Sequence, residues 1–307
     1  MCNRFFKITK ILPLLIVCCL TFSAEAKKLR IGVTLHPYYS FAANIVQDKA
    51  DVIPMIPVGF NPHAYEVRAE EIKQIGGLDV IIVNGVGHDD FASRMIAASE
   101  KPDIPVINAN KDVPILTAGG SDNVINSHTF VSISAAIQQV QTIARELGKF
   151  DPENAETYMK NARLYTQKLR KIRADALSQL DQVPTNTDFR VATIHGAYDY
   201  MLREFGLSVT ATVEPAHGIE PSPAQLAKTI DTIRNLNVQV IFSEINFPST
   251  YVDTIQRETG VRLYPLSHIS NGEYTAEKFE TEIKENYASV IRAINYAIEQ
   301  KKGKEQK

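Results

Sequence analysis

Apolar and polar positions along the chain fall into two rounds of the same pattern. Short, nearly continuous apolar runs occupy residues 29–35 (LRIGVTL), 52–55, 79–83 (DVIIV) and 105–107. A second set occupies 190–194 (RVATI), 207–213, 238–242 and 261–264. Between the runs, apolar residues recur at spacings of three and four, which predicts helices over 37–45, 69–75, 91–98 and 132–147. The second round repeats this over 198–205, 224–235, 250–259 and 275–300, with Ser222 placed to cap the helix that Pro223 opens. Strands that are apolar without alternation are covered on both faces. Strands that alternate with helices imply a parallel sheet, so the fold class is α/β.

One stretch breaks the pattern. Tyr158, Ala162, Tyr165, Leu169, Ile172, Ala176 and Leu180 form a single apolar stripe on an otherwise charged segment. Asp151 and Pro152 precede it as a cap and a first helical residue. A helix of that span is about 45 Å long at 1.5 Å per residue, more than an ordinary crossover needs. The predicted architecture is two lobes, each a parallel sheet flanked by helices, joined by one long backbone helix. The expected divisions are 1–26, 27–150 for the first lobe, 151–183 for the linking helix and 184–307 for the second lobe.

Residues 1–26 differ from the rest. Arg4, Lys7 and Lys10 precede an apolar run over 11–22, and Ala24-Glu25-Ala26 follows. That is the layout of a cleaved secretory signal, which would place the protein in the periplasm with a mature start near Lys27. All three cysteines (Cys2, Cys18, Cys19) lie inside this segment, so the expected mature chain has neither disulfides nor thiolate ligands. Val17, where a small residue would precede a lipidated Cys18, favours a soluble form. Without the segment, 30 basic residues face 34 acidic ones. The balance is mildly acidic and gives no electrostatic basis for nucleic-acid binding.

The candidate chemistry lies in the seven histidines. His63, His128 and His195 recur at intervals of 65 and 67 residues, each between a strand or loop and a helix. Neutral imidazole is a common ligand for zinc and other borderline divalent ions. These three are read as converging on one ion from separate segments. No H-E-x-x-H signature is present. His36 follows the first strand and is read as structural or as supporting the cleft. His217 is placed on a rim loop, and His88, beside Asp89 and Asp90, in solvent.

Four local motifs sharpen this reading. Asn61-Pro62-His63-Ala64-Tyr65-Glu66 resembles the N/D-P-H-x-Y/F-E ligand loop of metal-binding solute-binding proteins of ABC importers, the TroA/ZnuA-like family. Glu220-Pro221-Ser222 is similar to that family's E-P-S element. Ile241-Phe242-Ser243-Glu244 is similar to its strand-end glutamate segment, and His195-Gly196-Ala197-Tyr198-Asp199-Tyr200 to its third ligand segment. The resemblance covers about residues 29–300 and implies that His63, His128 and His195 are metal ligands. Two departures stand out. The family's acidic residue and proline before the second histidine are replaced by Asn126 and Ser127. Its aspartate after the last strand is absent from Leu263-Tyr264-Pro265-Leu266-Ser267-His268. The fourth ligand is therefore expected to be Glu244, with His268 or a water as alternatives; Glu244 could instead orient a histidine.

The expected function is periplasmic capture of a divalent transition metal and its delivery to an inner-membrane ABC permease by a monomer. Three imidazoles and at most one carboxylate favour zinc (Zn2+) over the harder manganese (Mn2+). Other readings of the same residues are a manganese-specific binding protein, a zinc-dependent hydrolase with Glu244 as base, and an adhesin on the same scaffold.

Overall fold

The computed structural model describes residues 27–60, 65–117, 125–180, 189–214, 220–245 and 250–305. The expected signal segment, His63 and His217 lie outside them. In chain order the elements are β1 (Leu29–Val33), α1 (His36–Val46), β2 (Ala50–Pro54), α2 (Ala69–Ile75), β3 (Val80–Val83), α3 (Asp90–Ala98), β4 (Val106–Asn108), α4 (Ile133–Phe150) and α5 (Ala155–Leu177). There follow β5 (Val191–Thr193), α6 (Asp199–Glu204), β6 (Val209–Thr212), α7 (Pro223–Asn235), β7 (Val240–Glu244), α8 (Thr250–Thr259), β8 (Arg262–Leu266) and α9 (Lys278–Glu305).

The strands form two four-stranded sheets of matching order, β2-β1-β3-β4 and β6-β5-β7-β8, and every pairing is parallel. Strand side chains alternate between faces, and each face has its own core. Ile31, Val33, Val80 and Ile82 of the first sheet join Val240, Phe242 and Leu266 of the second in one continuous apolar cluster. Phe41 of α1, Ile143 of α4, Leu169 of α5, Met201 of α6 and Phe279 of α9 belong to the same cluster. The opposite faces are covered separately. Ile81 and Val83 pack with Ile75, Phe91 and Met95 of α2 and α3. Ala192 and Ile241 pack with Ile233, Val252 and Ile255 of α7 and α8. The order of layers is helix, sheet, helix, sheet, helix, and the middle helical layer serves both sheets.

The long connecting helix is thus present as α5, with four other helices beside it in the shared layer. It begins at Ala155 rather than at Pro152. Asp151 is committed elsewhere: its backbone N–H donates to the Leu147 carbonyl at 3.0 Å and closes α4. Its carboxylate accepts from Asn154 Nδ2 at 2.9 Å and the Tyr158 hydroxyl at 2.5 Å, so residues 152–154 form a turn. The expected cap at Ser222 is present, with Gln225 completing a reciprocal capping box. Among the described residues no helix is long and apolar enough to cross a membrane.

Polar contacts lock the middle layer. Ser40 and Asn44 of α1 donate to the Thr275 and Ala276 carbonyls ahead of α9, each at 2.8 Å. The side chain of Glu204, at the end of α6, is only 4% exposed among four helices. Its carboxylate accepts from Ser132 Oγ (2.6 Å) and the Ser134 N–H (2.7 Å) at the start of α4, and from Tyr287 of α9, with Arg173 of α5 at 3.4 Å. An anion suits that place, because the first N–H groups of a helix have no partner within it.

Two outcomes are expected. Removing the carboxylate leaves two hydroxyls, a helix N–H and the partly exposed Arg173 without their acceptor. Glu204→Ala should therefore lose about 1–3 kcal/mol of stability in urea denaturation, and Glu204→Gln less. Because opening the two sheets would tear a common core, small-angle scattering should give the same radius of gyration with and without bound metal.

Candidate metal centre

All strands run the same way, so their carboxyl ends share one edge of each sheet. In both sheets the chain reverses its winding between the central pair, β1/β3 and β5/β7, where side chains from successive loops can converge. Four histidines of the described residues meet there. His88 lies between β3 and α3, His128 between β4 and α4, His195 just past β5, and His268 two residues past β8. All four are buried.

His128 and His195 approach most closely, Nε2 to Nε2 at 3.0 Å, with ring centroids 4.7 Å apart. His268 lies 5.1 Å from His128 and 5.8 Å from His195, ring to ring. His88 lies 5.0 Å from His128 and 5.5 Å from His268. One nitrogen from each of His88, His128 and His268 falls within 4.8 Å of the other two. Two bare ring nitrogens 3.0 Å apart repel unless a proton or a cation lies between them. The arrangement suits a divalent ion.

The orientation of His128 is set by Asn126. The amide Nδ2 donates to the Gly196 carbonyl (2.9 Å) and to Asp199 Oδ2 (2.8 Å), both acceptors, which fixes which end of the amide is oxygen. Asn126 Oδ1 then accepts the His128 backbone N–H (3.1 Å) and its Nδ1–H (3.0 Å). The proton on Nδ1 leaves Nε2 with its lone pair toward the cluster, as metal-binding imidazoles require. The departure from the family pattern at Asn126 thus has a physical role. The amide also ties the loop of His128 to that of His195.

The loop of His88 is as firmly placed. Gly85 and Gly87 take positive φ values of 74° and 97°, which let the chain turn back after β3. Asp89 Oδ2 accepts from Thr34 Oγ1 and the Asn84 N–H, both at 2.6 Å. Burial pushes its carboxyl up, against the pull of those hydrogen bonds. Asn84 Nδ2 reaches the Ser127 carbonyl at 3.1 Å and so links this loop to that of His128. The expectation that His88 lies in solvent is overturned: it is 3% exposed and packs edge-on against Phe130 at 4.8 Å. Asp89 and Asp90 suggested a surface loop, but Asp89 turns inward to close it. The missed signal was position, because His88 follows the carboxyl end of a central strand, as His195 does.

Glu244 ends β7, and the register that pairs Thr193 with Phe242 brings it level with His195. Glu214, past the end of β6, lies on the other side of β5, its N–H bonded to the Ile194 carbonyl at 2.9 Å. Burial, and then the charge of Glu214, pushes the Glu244 carboxyl up to about 8. His36 has a structural place, as expected. Its Nε2–H donates to the Gly272 carbonyl at 2.7 Å, and its ring stacks on Tyr274 at 3.8 Å. Burial holds its pKa down to about 4, so it is neutral near pH 7.

Known proteins share this chain's features along most of its length. A zinc-binding lipoprotein, AdcA of Streptococcus pneumoniae, is 27% identical over 302 residues, covering 94% of this chain. The chain spans 58% of AdcA's own length. MtsA of Streptococcus pyogenes, an iron ABC transporter substrate-binding lipoprotein, is 25% identical across 82% of this chain and 84% of its own. The structure of the solute-binding protein FpvC of Pseudomonas aeruginosa with Mn2+ is 68% identical, with a TM-score of 0.85 over 88% of this chain and 100% of FpvC. Its Ni2+ complex matches at 67% identity with a TM-score of 0.84, over 88% of this chain and 98% of that one. The family model for zinc-uptake complex component A, periplasmic, matches residues 31–300, and the chain belongs to that family, the ZnuA family.

Proposed function

We propose that this protein captures a divalent transition-metal ion in the periplasm and hands it to an ABC permease in the inner membrane. The observation that carries the reading is the convergence of His128, His195 and His268, with two Nε2 atoms 3.0 Å apart, at the strand ends of two sheets. His63, in the Asn61-Pro62-His63-Ala64-Tyr65-Glu66 motif, is read as the further ligand. For the remaining position His268 is preferred to Glu244. Its ring already stands among the others, 5.1 Å from that of His128 and 5.8 Å from that of His195.

The named relatives span several ions: AdcA is called zinc-binding, MtsA serves iron, and FpvC has been solved with Mn2+ and Ni2+. A donor set this rich in imidazole ranks zinc and nickel above manganese, which prefers oxygen ligands. Zinc is the first expectation from the three-histidine set, and manganese the weaker alternative. The uptake family to which the chain belongs, rather than a hydrolase, sets the reading of the site.

Calorimetric titration of chelator-stripped protein tests this directly, and absence of any uptake of zinc, nickel or manganese would remove the proposal. His128→Ala, His195→Ala and His268→Ala should each weaken binding by more than 100-fold. Asn126→Ala, which removes only the orienting amide, should cost about 10- to 100-fold. A smaller loss at His268 than at Glu244 would reverse their assignment.

Imidazole must be neutral to bind a metal, and its ordinary pKa is about 6.5. Protons compete with the ion below that value. Affinity should therefore be full above about pH 7 and fall steeply below about pH 6, with proton release detectable as a dependence of the binding heat on the buffer.

A further inference from the structure

His268 stands on a turn that the backbone does not adopt freely. Ile269, the next residue, has a φ of 59°, a left-handed conformation in which a β-branched residue is strained. Ile269 is fully buried and belongs to the core shared by both sheets. A glycine would make the turn without strain but would leave that place in the core empty. The chain thus anchors one residue in the core and turns its neighbour, His268, toward the strand ends. A strained conformation of this kind persists only where the surroundings enforce it.

The enforcement comes from α9. Asn286, 1% exposed, meets both backbone groups of Ser267 at once. Its Oδ1 accepts the Ser267 N–H at 2.6 Å, and its Nδ2 donates to the Ser267 carbonyl at 2.8 Å. The second bond fixes the peptide plane that leads into His268. The Ser267 hydroxyl accepts the Ile269 N–H at 3.0 Å and donates to the Glu282 carboxylate, which also holds Lys278. On the far side of the turn, His36 holds the Gly272 carbonyl. The Ser270 hydroxyl is 2.9 Å from His268 Nδ1 and accepts from it when that nitrogen carries the proton, which leaves Nε2 for a metal.

We propose that Asn286 is a positioning residue for metal capture: by clamping Ser267 from α9, it holds the strained turn that aims the His268 imidazole at the ion. The inference rests on the reading of His268 as a ligand and goes beyond it by locating what fixes that ligand before the ion binds. Asn286 acts on the ring only through the backbone.

Affinity and stability, measured side by side, separate positioning from plain support. Asn286→Ala should weaken Ni2+ binding to chelator-stripped protein by about 10- to 100-fold in calorimetry. Ser267→Ala, which removes the acceptor of the Ile269 N–H, should act in the same direction. Asn161→Ala removes a comparable buried amide, whose Nδ2 donates to the Ile45 carbonyl at 2.9 Å. It should lower stability in urea and leave affinity unchanged. In protein labelled with 15N at histidine and loaded with 113Cd2+, the one-bond cadmium–nitrogen splitting should be lost at His268 in Asn286→Ala and kept at His128 and His195. Lowered stability with unchanged affinity and splitting in Asn286→Ala and Ser267→Ala overturns the proposal. If His268→Ala still weakens binding in that case, the ligand stands and only the positioning role is lost. If His268→Ala leaves affinity unchanged, the reading of His268 as a ligand falls as well. Wild-type protein offers a check that needs no variant to fold. Without metal, the Ser267 amide should exchange with deuterium about 100-fold or more below the unstructured rate, and exchange near that rate would overturn the clamp.

Discussion

The candidate metal centre depends on a single architectural constraint: two parallel sheets are packed on the same layer of helices. Each sheet presents one face to that layer, and the residues of both faces belong to one apolar cluster. Sliding or opening one sheet against the other would expose side chains such as Phe41, Phe242 and Phe279, each worth about 1.5–3 kcal/mol when buried. The relative position of the strand ends is therefore fixed by the core. Glu204 reinforces it as a polar knot among α4, α5, α6 and α9.

Given that frame, the two sheets supply candidate ligands from equivalent places. They share a strand order, so β4 corresponds to β8 and β3 to β7. His128 leaves the connection from β4 to its helix, and His268 leaves the connection from β8 to its helix. His88 follows β3, and Glu244 ends β7. The equivalence is positional only, because the side chains differ and so do the roles. Asn126 then joins the two sets. Its oxygen orients His128, while its nitrogen holds the Gly196 carbonyl next to His195. One amide thus sets the tautomer of His128 and the spacing between two loops.

Much of this was legible in the sequence, because apolar periodicity is read directly by the fold. The eight apolar runs became the eight strands of the described residues, and the helices at 69–75 and 250–259 appear where the spacing placed them. The start of α5 was misread because Asp151 and Pro152 satisfy a cap pattern, while the end of α4 takes the Asp151 N–H and Tyr158 takes its carboxylate. His128 and His195 were singled out by spacing and motif, and they lie 3.0 Å apart. The expected ligand His63 falls outside the described residues. His88 escaped notice because local composition marks a loop as polar without saying which way an aspartate points. Only the hydrogen bonds from Thr34 and Asn84 show that Asp89 faces inward and carries its neighbour under cover.

A site assembled on rigid loops discriminates differently from one that closes around its cargo. In a hinged protein, binding energy is spent on moving lobes, and selectivity follows from how well each ion completes the closed form. Here the loops of His88 and His128 are held by Asn84, those of His128 and His195 by Asn126, and α1 by the segment that precedes α9. These candidate donors are thus held in place by the fold itself, and little ordering entropy remains for them to lose. Selectivity must then come from the number and kind of donors that the fixed shell presents, the two properties that buried imidazoles from several strand ends determine. The same rigidity bears on release. An ion held by several separate loops leaves most readily when one loop is drawn away, because each lost imidazole weakens the rest of the shell. A membrane partner that engages a single loop at this edge could therefore unload the ion without unfolding the core that positions it.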